Sequence, residues 1–156
     1  MLLLLLAAAC ATAQTTQSVS GCTSNDQAVF YKGAVGQKPL TQLNVTVASD
    51  DASRERGLMG VTDLGKNDGM AFAWTSATDA TFWMKDTLIP LSIAFVDASG
   101  QVITIKEMTP CTADPCETYA ADGTYTTALE ANAHWFEDQH VEVGDRMNLS
   151  VSPCPS

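Results

Sequence analysis

The stretch LSIAFVDASGQVITIKEM, residues 91–108, limits the fold more than any other part of the chain. Leu91, Ile93 and Phe95 alternate along its first half, and Val102, Ile103 and Ile105 supply the apolar positions of its second. Side chains two residues apart share a face of a strand, so the first run reads as half-buried β-structure. The Gly-containing turn ASGQ between the runs makes the pair a hairpin. Two strands alone cannot bury such a face, so others must come from elsewhere in the chain.

They are found on both sides. QLNVTVAS alternates Leu43, Val45 and Val47, MAFAW follows the KNDG turn, and TFWMKDT is a further strand that Pro90 separates from the hairpin. ADGTYTTALE places a strand after the Asp122-Gly123 turn, and VEVGDRMNLSVS gives a Gly-Asp turn and a closing strand. SDDASRERGLMG carries acids at its front and Arg54 and Arg56 toward its back, and reads as a short helix stopped by Gly60. EANAHWFEDQH, with Ala131 and Trp135 four apart, reads as a second. The expected fold is α+β and mainly β: a small curled antiparallel sheet or barrel-like domain with two short helices.

MLLLLLAAACATAQ opens the chain. Its apolar run is too short to span a bilayer and fits the core of an export signal, with ATA allowing cleavage after Ala13. Residues 1–13 are therefore expected to be an export signal peptide, 14–27 a flexible polar leader and 28–154 a single domain. The rival is lipid attachment at Cys10 in LAAAC. VSGC, ending at Cys22, matches a lipidation motif letter by letter, but polar QTTQS separates it from the apolar run. Loss or lipidation of Cys10 leaves an even set of cysteines, Cys22, Cys111, Cys116 and Cys154. Cys111 and Cys116 close the short PCTADPC loop, and a Cys22–Cys154 bond would tie the domain's ends together. Two bridges imply an oxidising, extracytoplasmic location: periplasmic, cell-surface or secreted.

The chain holds 18 acidic residues against 8 basic, a net charge of −10. Such a surface repels nucleic acid and anionic headgroups, leaving a lipid anchor as the only expected link to a membrane. There is no G-x-S-x-G, P-loop, H-E-x-x-H or dinucleotide fingerprint. DASGQVITIKE has Phe95 where a calcium loop needs Asp, and His134 and His140, six apart, do not share a helix face. No cofactor or metal site is implied. Met59, Met70, Met84, Met108 and Met147 offer thioethers to copper(I), although methionine fills cores first.

Polar groups stand at the strand ends: Arg56, Lys85, Asp86, Glu107 and Glu117. Alternation puts Trp83 and Lys85 on one face of their strand and Phe82, Met84 and Asp86 on the other. With Phe82 and Met84 in the core, Trp83 and Lys85 point outward as a platform for a sugar or an anionic ligand. The competing arrangement has Lys85 covering a half-buried Trp83 and pairing with Glu107 across the hairpin. The candidate ligand-binding residues are Arg56, Trp83, Lys85 and Glu107, and no residue is assigned a catalytic role.

RERGLMG, DGMAF, FWMKDTLIPLSIAFVDASGQVI and ALEANAHWFEDQHVEVGDR together resemble the DUF192 family, small and usually exported bacterial and archaeal domains of unknown function. The likeness runs from Leu43 to Leu149. Members usually read F-W-M-K-N-T-x-I-P-L-D, where this chain has Asp86 for the Asn and Ser92 for the Asp, and His134 stands where members tend to have Gly. Ser92 cannot perform the proton chemistry of an Asp. The resemblance implies the compact, mainly β fold and supplies no activity, cofactor or catalytic residue. The expected function is a non-catalytic ligand-binding or interaction module at the cell envelope or outside the cell. It would act as a monomer on a small molecule, a glycan or an envelope protein. The alternatives are an enzyme acting on an envelope polymer or small metabolite, needing Arg56, Lys85 and Glu107 in one pocket, and a Met-based copper handler.

Overall fold

The computed structural model describes residues 26–152. The predicted signal peptide, nearly all of the leader, and Cys10, Cys22 and Cys154 lie outside them. In chain order the elements are β1 (Gln27–Tyr31), β2 (Thr41–Ala48), α1 (Asp51–Arg56), β3 (Asp68–Thr78), β4 (Phe82–Trp83), β5 (Leu91–Val96), β6 (Val102–Met108), β7 (Thr118–Tyr119), β8 (Tyr125–Asn132), α2 (Trp135–Asp138) and β9 (Arg146–Ser150).

Seven strands form one curled sheet in the order β6-β5-β8-β3-β2-β1-β9, and β4 pairs with β7 in a separate two-stranded ribbon. The predicted hairpin is β5–β6, with Leu91 opposite Met108 and Ser92 opposite Glu107. Neighbouring strands run antiparallel except β2 and β3, which are parallel because α1 carries the chain back between them. The sheet's two edge strands meet at one end. Gln101 bridges Arg146, Val102 N–H donates to Asp145 O and Met147 N–H to Gly100 O, stitching the curl shut there.

Each face of the sheet carries its own core. All seven strands contribute to the inside of the curl, where Phe30, Leu43, Val45, Val96, Val102, Leu129 and Met147 pack with Trp135 and Phe136 of α2. Met70, Phe72, Ile93, Phe95, Tyr125 and Ala128 face the other way, under Met84, Phe82 and Tyr119 of the ribbon region. Strand β5 is therefore buried at every residue, as a central strand covered on both faces must be. The alternation of Leu91, Ile93 and Phe95 marks one of its two buried faces, not a buried face opposite a wet one.

Helix α1 starts on Asp50, whose carboxylate accepts from Ser53 N–H while the Ser53 hydroxyl meets the Asp50 backbone N–H. The second helix is shorter than its sequence pattern predicts. Glu130–Asn132 continue β8, and the helix is confined to Trp135–Asp138. The i,i+4 spacing of Ala131 and Trp135 has another cause: both side chains enter the inner core, one from the strand and one from the helix. The chain turns between them at His134, which has φ +64°. Glycine reaches that left-handed conformation most readily, so His134 holds a position that a Gly would adopt without strain. Asp86, at φ +54°, occupies a second such position, one that Asn tolerates well.

Candidate functional site

Beside α1 the outer core is not sealed. Arg54, Glu55 and Arg56 of α1, Phe72 and Trp74 of β3, and Phe82 and Trp83 of β4 surround a cavity of about 210 Å³, with Thr87 and Glu130 also on its wall. A second, more open hollow shares the Glu55, Arg56, Met59 and Trp83 wall and is lined also by Lys85 and Asp86. One groove therefore has an aromatic inner end and a charged lip. The short α1–β3 crossover sets one wall, and the β4–β7 ribbon sets the other.

Trp83 is 47 % exposed while Met84 is buried at 1 %, so the predicted division of this segment is present. The Lys85 ammonium lies 5.3 Å from the Trp83 ring centroid, a cation–π contact. Strand geometry ends at Trp83, however, and Asp86 faces solvent in the turn that follows, not the core as its parity predicts. Arg56, Trp83 and Lys85 do line one hollow.

Glu107 does not join them. Its carboxylate accepts from the Ser92 hydroxyl at 2.5 Å and from His134 N–H at 3.1 Å, and the His134 N–H also reaches Ser92 Oγ at 2.7 Å. The cross-strand partner of Glu107 is therefore the fully buried Ser92, not Lys85. This bonding explains why the position tolerates Ser: the hydroxyl anchors the β8–α2 corner to the hairpin. Ser92→Ala is expected to lower stability by roughly 2 kcal/mol, read as a lower urea midpoint at unchanged slope.

The residue that sequence reasoning missed is Glu130. It is 4 % exposed, and its cross-strand neighbours are Met70 on β3 and Ile93 on β5. Burial alone pushes its carboxyl up to about 8, and no hydrogen bond or ion pair from a described residue offsets that. The carboxyl is not sealed off, because Glu130 forms part of the cavity wall. Arg54 does not neutralise it. The Arg54 guanidinium donates to Ala73 O at 2.8 Å, pairs with Asp51 and lies 5.1 Å from the Trp74 ring centroid. Arg56 and Lys85 have no ion-pair partner among the described residues. A signal for Glu130 exists in TTALEAN: as a strand, this run places a lone acid on the same face as Ala128. Assigning EAN to a helix conceals it.

The methionines are divided. Met70, Met84 and Met108 fill the outer core, Met147 the inner one, and Met59 lines the groove. Among the described residues no group of His, Cys, Asp and Glu is placed to hold a metal ion. Cys111 and Cys116 are joined in a disulfide, and Cys111 N–H donates to Met84 O, so the loop is fastened beside Lys85.

Fold and groove together define a small curled-sheet domain with an aromatic-walled hollow beside a β–α–β crossover. The DUF192 family model, described as an uncharacterized ACR, matches residues 33–149, and the chain belongs to that family. Two solved structures share the fold at a TM-score of 0.70. One is a Sinorhizobium meliloti protein called a "putative transcription regulator", 25 % identical over 80 % of this chain and 92 % of its own. The other is a Novosphingobium aromaticivorans protein of unknown function, 28 % identical over 84 % of this chain and 89 % of its own. Among curated proteins nothing matches.

Proposed function

We propose that this domain is an extracytoplasmic binding module that holds one small organic ligand in the groove between α1 and the β4–β7 ribbon. The observation that carries this reading is the shared hollow of Arg56, Trp83 and Lys85, which adjoins an aromatic-walled cavity across Arg56 and Trp83. Concave apolar walls with a few unpaired polar groups are the usual form of a small-molecule site. A volume of about 210 Å³ is small for such sites and suits a single ring-sized unit, with the remainder of the ligand lying over Trp83 and the cationic lip. A disulfide of the Cys111–Cys116 kind persists in oxidising compartments, which supports placement outside the cytoplasm. The regulatory role named for the Sinorhizobium protein is not carried over, because a net charge of −10 opposes binding to a phosphate backbone. An enzyme built on Arg56, Lys85 and Glu107 loses support, since Glu107 lines neither hollow and is held by Ser92 and His134.

Trp83→Ala tests the reading. The side chain is half exposed, so stability is expected to stay within about 1 kcal/mol of the parent. Binding on a glycan array or in a ligand-induced shift assay is expected to weaken about tenfold or more. Undiminished binding by this variant would remove Trp83 from the site and with it the proposed groove.

A further inference from the structure

We infer that the inner end of the groove is a subsite for an uncharged donor–acceptor pair of the ligand, such as adjacent sugar hydroxyls or an N-acetyl amide, and that Glu130 is the residue that reads it. This rests on the binding-module reading and names its ligand class. The argument begins with the placement of Glu130. An acid 4 % exposed, flanked across the sheet by Met70 and Ile93, lines a cavity while no described residue bonds its carboxyl. Buried polar groups are nearly always satisfied, and one left open toward a cavity is placed to be satisfied by what enters.

The charges around it select the ligand. From α1, Arg54, Glu55 and Arg56 line the same cavity; β3 contributes Phe72 and Trp74, β4 contributes Phe82 and Trp83, and β5 places Ile93 beside the acid. Lys85 and Asp86 stand farther out, on the lip. A ligand cation driven to the inner end would meet the arginines of α1. A ligand anion would have to give up its water between Phe72, Trp74 and Phe82, with Arg54 already engaged by Ala73 O and Asp51. An uncharged group meets neither penalty. Burial holds Glu130 protonated at neutral pH, so its carboxyl presents one O–H donor beside one C=O acceptor. That pair is complementary to a neighbouring acceptor and donor on a sugar ring or an amide. The aromatic walls supply apolar surface for the ring itself.

Three saccharides that differ chiefly in charge separate the readings: N-acetylglucosamine, glucosamine and glucuronate. Binding to the full chain can be followed by Trp fluorescence, since Trp74 and Trp83 both line the cavity. N-acetylglucosamine is expected to bind at least tenfold more tightly than the other two at pH 6. Its affinity should fall about tenfold between pH 6 and 9.5 with a midpoint near 8, as ionisation removes the O–H donor. Glu130→Gln keeps a donor and an acceptor without a titrating proton. It should stay within about threefold of the parent at pH 6 and lose the pH dependence, whereas Glu130→Leu should lose binding tenfold or more. Tighter binding of glucosamine than of N-acetylglucosamine at pH 6, where its amine is charged, would overturn the uncharged subsite in favour of a cation site while leaving the module intact. Tighter binding of glucuronate would overturn it in favour of an anion site. The same holds if N-acetylglucosamine binds with Trp83 dependence but all Glu130 variants behave like the parent. If none of the three perturbs fluorescence in the parent at millimolar concentration, the saccharide assignment is rejected. Trp83-dependent binding of another ligand class would then still uphold the module.

Discussion

Glu130→Gln is expected to yield a protein whose stability no longer declines between about pH 4.5 and pH 8. In the parent chain the carboxyl titrates near 8 when folded and near 4.5 when the chain is unfolded, because folding removes it from water without giving it a partner. Below pH 4.5 the group is protonated in both states and costs nothing further. Between the two values the unfolded chain releases the proton and the folded chain keeps it, so each pH unit removes about 1.4 kcal/mol of stability. Above pH 8 both states are ionised and the loss, roughly 4 to 5 kcal/mol, is complete. At pH 7 the parent is therefore expected to be weakened by roughly 3 kcal/mol relative to its own stability at pH 4.5. The folded group is nearly inaccessible, so water screens little of this. Asp50, whose carboxyl the Ser53 N–H and hydroxyl hold below the usual range, acts only on the acid side of that window. Urea denaturation at pH 5 and pH 8 provides the comparison. The parent midpoint should fall and the Gln variant's should not; a parent that is equally stable or more stable at pH 8 would contradict the buried acid.

The second large effect is expected at Gly69→Ala. Gly69 lies on β3 opposite Ala131, and a Cβ there would approach the Glu130 carbonyl oxygen to 2.3 Å and Leu43 Cδ2 to 2.8 Å. The first obstacle is backbone, so β3 and β8 would have to part there, and Leu43 of the inner core would have to shift. A loss of about 3 kcal/mol is expected by chemical denaturation. Gly123→Ala is the control: its Cβ would meet only Ile103 Cδ1 at 3.7 Å, an ordinary contact, and the change should stay within about 0.5 kcal/mol. Equal behaviour of the two variants would mean that the strands separate without penalty and that the close approach at Gly69 is unimportant.

Much of the fold is legible from residue order because hairpin and turn signals are local. The alternation of Leu91, Ile93 and Phe95, the Gly100 turn and the acids-first pattern of α1 all lead to elements present in the structure. The parallel pairing of β2 with β3 is not local, since it depends on how α1 packs between them. β1 carries no alternation signal, because Ala28, Val29, Phe30 and Tyr31 form a continuous apolar run. The candidate site was half legible. Trp83 follows from strand parity and Arg56 from the end of α1, while Lys85 lies past the strand, in the turn, where it stays beside Trp83. Glu107 was drawn to Lys85 by charge, whereas the register gives it Ser92. Glu130 escaped notice because a charged residue signals a surface until the strand on which it sits is known to be covered on both faces.

The groove draws its residues from two sources that differ in what they owe the fold. Arg56, Trp83 and Lys85 belong to a short helix, a two-residue strand and a turn, all outside the seven-stranded sheet and none of them buried. Phe72 and Glu130 are built into the sheet itself. Substitutions at the lip are therefore expected to cost little folding stability. A change at Glu130 is expected to alter stability and, under the proposed function, binding together. Across the family, sequence divergence around the groove is expected to concentrate on α1 and the ribbon, over a more constant sheet.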